Sequence, residues 1–215
     1  MSALTPKAVP VAWDDWPRYE IYKFFQPMDN PVYGVTFTLD VTRLHAYAKA
    51  RGISFYYALV YLCTEAVNDV EAFHYCERAG QLYRLERRIP SFTDLKPGAE
   101  QFHIVTMDHG HDLDIFCRVA RETSLAQTCF IRAEAESDAL IFFSCLPWLP
   151  LTRLTNERGS DPTDAIPRLS WGRYTGQDGR LTLGMSVELN HRFVDGLHLG
   201  RFYESLCARI AALEP

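Results

Sequence analysis

The chain has 215 residues, 47% of them hydrophobic and 23% charged, which is enough apolar material to bury a sizeable core without disulfides or metals. Its net charge of -5 argues against a clustered basic face of the kind that nucleic acid or an anionic membrane requires, and favours a small uncharged or zwitterionic partner. No shift in composition marks a linker, so residues 1–215 are expected to form a single domain.

Met1 to Ala12 carries one lysine, two prolines and no long apolar run, which fits neither a signal peptide nor a transit peptide. No apolar stretch reaches the roughly 20 residues that cross a bilayer, so a soluble, cytoplasmic protein is expected. Asp14 and Asp15 precede Trp16-Pro17, and the aromatic-rich segment Arg18 to Phe25 predicts a short helix with proline in its first turn. Over Val32 to Val41, the residues Val35, Phe37, Leu39 and Val41 alternate with Gly34, Thr36, Thr38 and Asp40, the period of a strand. Thr42 opens a helix. Ser54 is placed to cap another, whose Phe55, Ala58, Leu59, Leu62, Cys63 and Ala66 share one face that should lie on a sheet.

Between Leu82 and Met107, short β-branched and aromatic runs broken by Arg-Arg, Pro90 and Lys96-Pro97-Gly98 predict a meander of strands. Asp112 to about Glu136 is rich in Ala, Arg and Glu and predicts one long helix. Ala139 to Cys145 is short and apolar, as a buried strand ending at Pro147 would be, and Asn156 to Asp164 reads as a polar loop. Strands follow at Arg168 to Thr175 and Leu181 to Leu189 with Gly-Gln-Asp-Gly turning between them, and a helix from about Gly196 carries Leu199, Phe202, Leu206 and Ile210 on one face.

The six cysteines (Cys63, Cys76, Cys117, Cys129, Cys145 and Cys207) show no CxxC spacing and read as reduced core thiols. Asp108-His109-Gly110-His111-Asp112-x-Asp114 packs metal-ligand residue types closely, but its spacing fits no zinc or calcium site; a helix-capping segment and no metal are expected. The chemistry concentrates in Glu188-Leu-Asn-His-Arg-Phe-Val-Asp-Gly-Leu-His198, where a predicted strand ends in a histidine and Asp-Gly opens a helix. A neutral imidazole there could take a proton from a hydroxyl as it attacks a carbonyl; equally, His191 could be a satisfied core histidine and Asp195 a plain N-cap.

The pattern His-x-x-x-Asp-Gly resembles the catalytic signature of the chloramphenicol acetyltransferase family and of the related dihydrolipoyl acyltransferases. The likeness to the former runs from about Trp16 to about Arg209: Trp-x-Arg near the start, Phe-Tyr opening the first long helix, Pro-Trp after the buried strand, and Asp-Gly-x-His-x-Gly-Arg near the end. It implies an α/β (α+β) two-layer fold with a large mixed sheet flanked by helices, and a homotrimer with active sites between subunits. The activity implied is acetyl transfer from acetyl-CoA to a hydroxyl of chloramphenicol or a similar small acceptor.

By that resemblance His191 is the general base and Ser144 the hydroxyl that stabilises the oxyanion. Ser170 stands where the family has a threonine that helps to bind a water near the oxyanion. Asp195 and Arg18 match a buried ion pair that fixes the histidine's loop. Tyr56, Trp148, Arg173 and Tyr174 match positions lining the coenzyme A channel. In the acceptor pocket Phe102 matches, Phe25 stands for a tyrosine, and Leu154, Asn156 and Arg158 stand for apolar or aromatic wall residues, so the acceptor is expected to differ. Asn190, in place of the usual histidine, makes Asn-His-Arg-x-Val-Asp-Gly closer to the dihydrolipoyl version. Acyl transfer to a dihydrolipoyl group and a non-catalytic trimeric binding protein of the same fold are the alternatives.

Overall fold

Phe55–Asn68 is apolar almost all the way round, and such a helix has to be covered on every side. The computed structural model, which describes residues 4–110 and 112–214, places this helix (α3) at the centre of one layer. Ser54 caps it, accepting from the Tyr57 N–H at 3.4 Å, and ten of its residues from Tyr57 to Val67 are buried. Around it lie α2 (Thr42–Arg51), α4 (Leu113–Ala126) and α5 (Gly196–Ala211), while the short α1 (Tyr19–Phe25) crosses near the end of α5 that begins at Gly196.

Beneath the helices is a seven-stranded mixed sheet built from β2 (Val32–Asp40), β5 (Ile89–Asp94), β6 (His103–Thr106), β7 (Leu140–Leu146), β8 (Arg168–Gly172), β9 (Thr175–Gln177) and β10 (Arg180–Asn190). Its order is β2-β10-β8-β7-β5-β6, with β9 also on β10; β5, β7 and β8 run parallel and the other pairs antiparallel. A separate three-stranded sheet, β1-β4-β3, is formed by Ala8–Pro10, Gln81–Leu85 and Tyr75–Arg78. The core lies between helices and large sheet, where Leu39, Ile141, Phe143, Leu169, Trp171, Met185, Val187 and Leu189 meet α3 and α5. This is the mixed sheet with flanking helices that the resemblance implies.

Three predicted elements take a different form. The meander splits, because β4 pairs in the small sheet while β5 and β6 join the large one. At the crossing point Arg88, wholly buried, donates to the carbonyls of Phe73, Tyr75, Asp138, Leu140 and Ala165 and so holds the two sheets together. The long helix stops at Ala126. The chain after it runs along the open edge of β6, with the Ile104 N–H donating to Phe130 O at 2.7 Å, Gln127 Nε2 to Ile104 O at 2.8 Å and Arg132 to Thr106 O at 2.6 Å. Thr128, Cys129, Phe130 and Ile131 are weak helix formers, and the open edge of β6 gives this stretch backbone partners instead. The strand expected over Arg168 to Thr175 is two, β8 and β9, and the β9–β10 turn is made by Asp178 and Gly179, both at positive φ as a tight hairpin demands.

The face of the sheet away from the helices is covered by the segment between β7 and β8. Every second residue of β10 on that face binds it: Ser186 Oγ accepts from the Leu154 N–H at 3.0 Å, Glu188 from the Asn156 N–H at 2.7 Å, and Asn190 Nδ2 donates to the carbonyls of Pro162 and Asp164. The segment passes so close that a Cβ on Gly184 would stand 2.0 Å from Leu151 O, which is why a strand interior carries glycine here.

Candidate active site

His191 is the first residue past β10, and its N–H still donates to Pro31 O at 2.8 Å, so the backbone of the turn is fixed by the edge of the sheet. Its imidazole lies between two rings, Phe25 at 4.3 Å and an interplanar angle of 24°, and Tyr33 at 4.4 Å and 38°. Burial pushes the His191 pKa below the ordinary histidine value; Asp195 pulls it up and Arg18 pushes it further down, leaving a net downward shift. A histidine so placed is neutral at pH 7 and able to accept a proton.

Arg18, at the N-terminus of α1, forms an ion pair with Asp195 at the N-cap of α5. Asp195 does two jobs, because its carboxylate also accepts from the Leu197 N–H at 3.1 Å. Burial alone would raise its pKa, but Arg18 and His198 more than offset that and hold it below the usual carboxylate range. His198 closes a capping box: its Nδ1 accepts the Asp195 N–H at 3.1 Å, so it stabilises the helix start next to the turn that bears His191. The sequence pattern Asp-x-x-His offered that signal, with histidine in the place where Glu or Gln usually stands.

Ser144 lies on β7, level with Ser170 on β8 and Ser186 on β10. It lines a cleft of about 610 Å³ together with Tyr56, Tyr57, Asp94, Phe102 and Trp148. The Tyr56 hydroxyl donates to Thr93 O at 2.6 Å and its ring packs on Trp171, so it forms wall. Trp148, 67% exposed, and Phe102, 50% exposed, stand at the rim. Arg173 and Tyr174 lie outside this cleft; the Arg173 N–H donates to Leu149 O beside Trp148, and the Tyr174 ring packs on Phe55 and His45.

His191 does not line the cleft of Ser144. From the level of Ser186 to His191 the strand advances five residues, and two strand spacings separate β10 from β7, so the two residues stand roughly 19 Å apart within one chain. A side chain cannot bridge that distance.

Leu154, Asn156 and Arg158 line a second, polar cleft of about 490 Å³ on the face of the sheet away from the helices, with Asp29, Thr36 and Arg153. The Asn156 amide and both Arg158 Nη groups are engaged within the chain. Asn156 donates through both its N–H and its amide to Glu188, its Oδ1 accepts from Ser170 at 3.2 Å, and Arg158 donates to Asp164 and to Glu188 O. The Ser170 hydroxyl proton is thus directed to the covering segment. In the acidic and histidine-rich stretch, Asp108 pairs with Arg87, His109 with Glu65, and Asp112 caps α4, while His111 lies outside the described residues.

The family model described as chloramphenicol acetyltransferase matches residues 9–207. The chain belongs to the chloramphenicol acetyltransferase family. Among its relatives are the chloramphenicol acetyltransferases of Streptomyces acrimycini, 28% identical over 98% of both chains, and of Clostridium perfringens, 26% identical over 88% of this chain and 89% of that one. A solved chloramphenicol acetyltransferase superposes with a TM-score of 0.86 at 22% identity, covering 95% of this chain and all of the other. The dihydrolipoamide acetyltransferase of Azotobacter vinelandii gives 0.68 at 20% identity, covering 90% and 86%. Family membership makes this chain an acyltransferase.

For this acyltransferase, the structure gathers the sequence-assigned residues into two groups. His191, Phe25, Arg18 and Asp195 form one, and Ser144, Tyr56, Phe102 and Trp148 the other. Sequence reasoning missed Tyr33 and Arg192. Tyr33 packs on the imidazole from the far edge of the sheet, and its hydroxyl, buried and without a partner among the described residues, is pushed up to about 12, first by burial and then by Asp195.

Proposed function

We propose that this chain transfers an acetyl group from acetyl-CoA to a hydroxyl of a small acceptor such as chloramphenicol, at sites formed between copies in a homotrimer. The separation of His191 from Ser144 carries the proposal: neither group can serve a common substrate unless a second copy brings its own partner group across. Exposed apolar side chains surround both halves. Ile21, Phe24, Met28 and Leu197 lie on the elements around His191, and Leu95, Phe102, Trp148 and Leu149 around Ser144, so the rim of one half can cover the rim of the other. Two different patches meeting head to tail form a ring where the rotation between copies closes, and a ring of three gives three equivalent sites.

In such a site His191 removes the acceptor's hydroxyl proton as that oxygen attacks the thioester carbonyl. The Ser144 hydroxyl donates to the resulting oxyanion, an interaction of about 3 kcal/mol in comparable sites. Collapse breaks the carbon–sulfur bond, and the imidazolium returns its proton to the departing thiolate. Tyr56 and Trp148 flank the cleft in which the thioester arm would lie, with Arg173 and Tyr174 further out toward the nucleotide. Phe25 and Phe102 come from opposite halves and would meet at the acceptor. Leu154, Asn156 and Arg158 contribute a wall whose amide and Nη groups are already paired, so an apolar acceptor need not desolvate those groups.

Thiol release from acetyl-CoA tests the reading, with chloramphenicol, dihydrolipoamide and a panel of hydroxyl and amine compounds as acceptors. His191→Ala and Ser144→Ala are each expected to be inactive or nearly so. Refolded together, they should regain activity, because mixed trimers contain one junction with both wild-type groups. Absence of any recovery, with mixed trimers demonstrated by mass, would place base and serine in one chain and overturn the proposal.

A further inference from the structure

The residue following the base is an arginine with 3% exposure and, among the described residues, no carboxylate partner. Arg192 donates instead to main-chain oxygens at the end of α1: Nε to Phe25 O at 3.4 Å, and Nη2 to Gln26 O at 2.5 Å and Met28 O at 3.2 Å. Its guanidinium also lies 5.8 Å from the centre of the Tyr22 ring on the same helix.

The last carbonyls of any helix have no partner inside it and carry the negative end of its dipole, so a planar cation with several donors fits there. α1 has seven residues, too few to persist without tertiary support. The turn that bears the base therefore grips both ends of α1. Asp195 holds Arg18 at its start, and Arg192 holds its final carbonyls. Phe25 is the last residue of α1 and supplies the ring that lies nearly parallel to the imidazole.

We infer that Arg192 is a positioning residue for the base: by holding the C-terminal carbonyls of α1 it sets the ring of Phe25 against the imidazole of His191 and so fixes the direction in which that imidazole can accept a proton. Arg192 touches no reacting atom. Lysine at the same place would keep the charge but offer a point donor in place of a fork, and the end of α1 would be left with fewer ties.

The inference rests on His191 acting as the base, but its geometric part can be read without turnover. In protein labelled at its seven histidines, the imidazole signals of His191 are identified by their loss in His191→Ala. Ring currents from Phe25 and Tyr33 should hold its carbon-bound protons upfield of the other histidines. Arg192→Met, or Arg192→Lys should the first fail to fold, is expected to move them downfield as far as Phe25→Leu does. Combining either with Phe25→Leu should move them no further, since both act on one contact.

In the thiol-release assay with acetyl-CoA and chloramphenicol, the same variants should lower kcat by roughly tenfold to a hundredfold and leave KM for acetyl-CoA unchanged. Unmoved His191 signals in a folded variant would overturn the inference and reduce Arg192 to a staple of the fold. Moved signals with a wild-type enzyme that turns over no acceptor would leave the positioning intact and count against the proposed function instead.

Discussion

An imidazole serves as a base only while it is neutral, and burial between Phe25 and Tyr33 favours that state at His191. The acidic limb of kcat/KM should therefore fall with a midpoint below about 6.5, the ordinary histidine value; a pH–rate profile with its midpoint above that value would contradict the downward shift. The Arg18–Asp195 pair belongs to the same scale. Because the folded-state pKa of Asp195 is depressed, the stability it contributes is complete above its unfolded value and is lost as pH falls through the folded one. Arg18→Ala should cost about 3 kcal/mol at pH 7, the low end for a buried pair since Asp195 keeps some solvent contact. Urea titrations should find that gap closing below about pH 4, where Asp195 begins to protonate even unfolded. The histidine and its Asp-Gly partner were legible as a motif. Tyr33 and Arg192 were not, because Tyr33 is far from His191 in sequence and meets it only in the fold, and the partners of Arg192 are carbonyls at the distant end of α1.

Among the elements, the segment between β7 and β8 is regular in its attachments though not in its dihedrals. Ser186, Glu188 and Asn190 hold it at two-residue intervals, so β10 carries a core on one face and a ladder of tethers on the other. Glu188→Ala removes two charge-assisted hydrogen bonds to Asn156 and should destabilise by roughly 2–3 kcal/mol, with faster proteolysis between residues 150 and 165. Gly184→Ala forces a methyl into the Leu151 carbonyl and should cost a similar roughly 2–3 kcal/mol by thermal or chemical melting. Alternation in sequence revealed β2, and the Gly-Gln-Asp-Gly turn revealed the start of β10. The end of α4 was missed although Thr128, Cys129, Phe130 and Ile131 are weak helix formers, because no glycine or proline marks it and the partner that draws the chain out, the open edge of β6, is distant in sequence.

For the molecule as a whole, the proposed site requires assembly. Activity per chain should fall on dilution or mild dissociation before the fold is lost, and thiol release measured beside sedimentation would show the two falling together. Exposure of Phe24 at 68% and Trp148 at 67% gives that assembly something to bury, and charge placed at either, as in Phe24→Glu, should weaken the oligomer while leaving the far-ultraviolet spectrum unchanged.

The order of residues alone determined most of the strands and helices, an α3 with an apolar face, and a histidine at the end of a late strand, because those follow from local periodicity, capping and a motif confined to one turn; the large mixed sheet was implied by the family resemblance instead. Tertiary structure decided where the meander split, why α4 ended early and which polar side chains were already engaged. It also decided that His191 and Ser144 lie far apart within one chain, because β7 and β10 run in opposite directions. These depend on which distant segments compete for the same backbone donors and acceptors, and that competition is absent from any window of sequence.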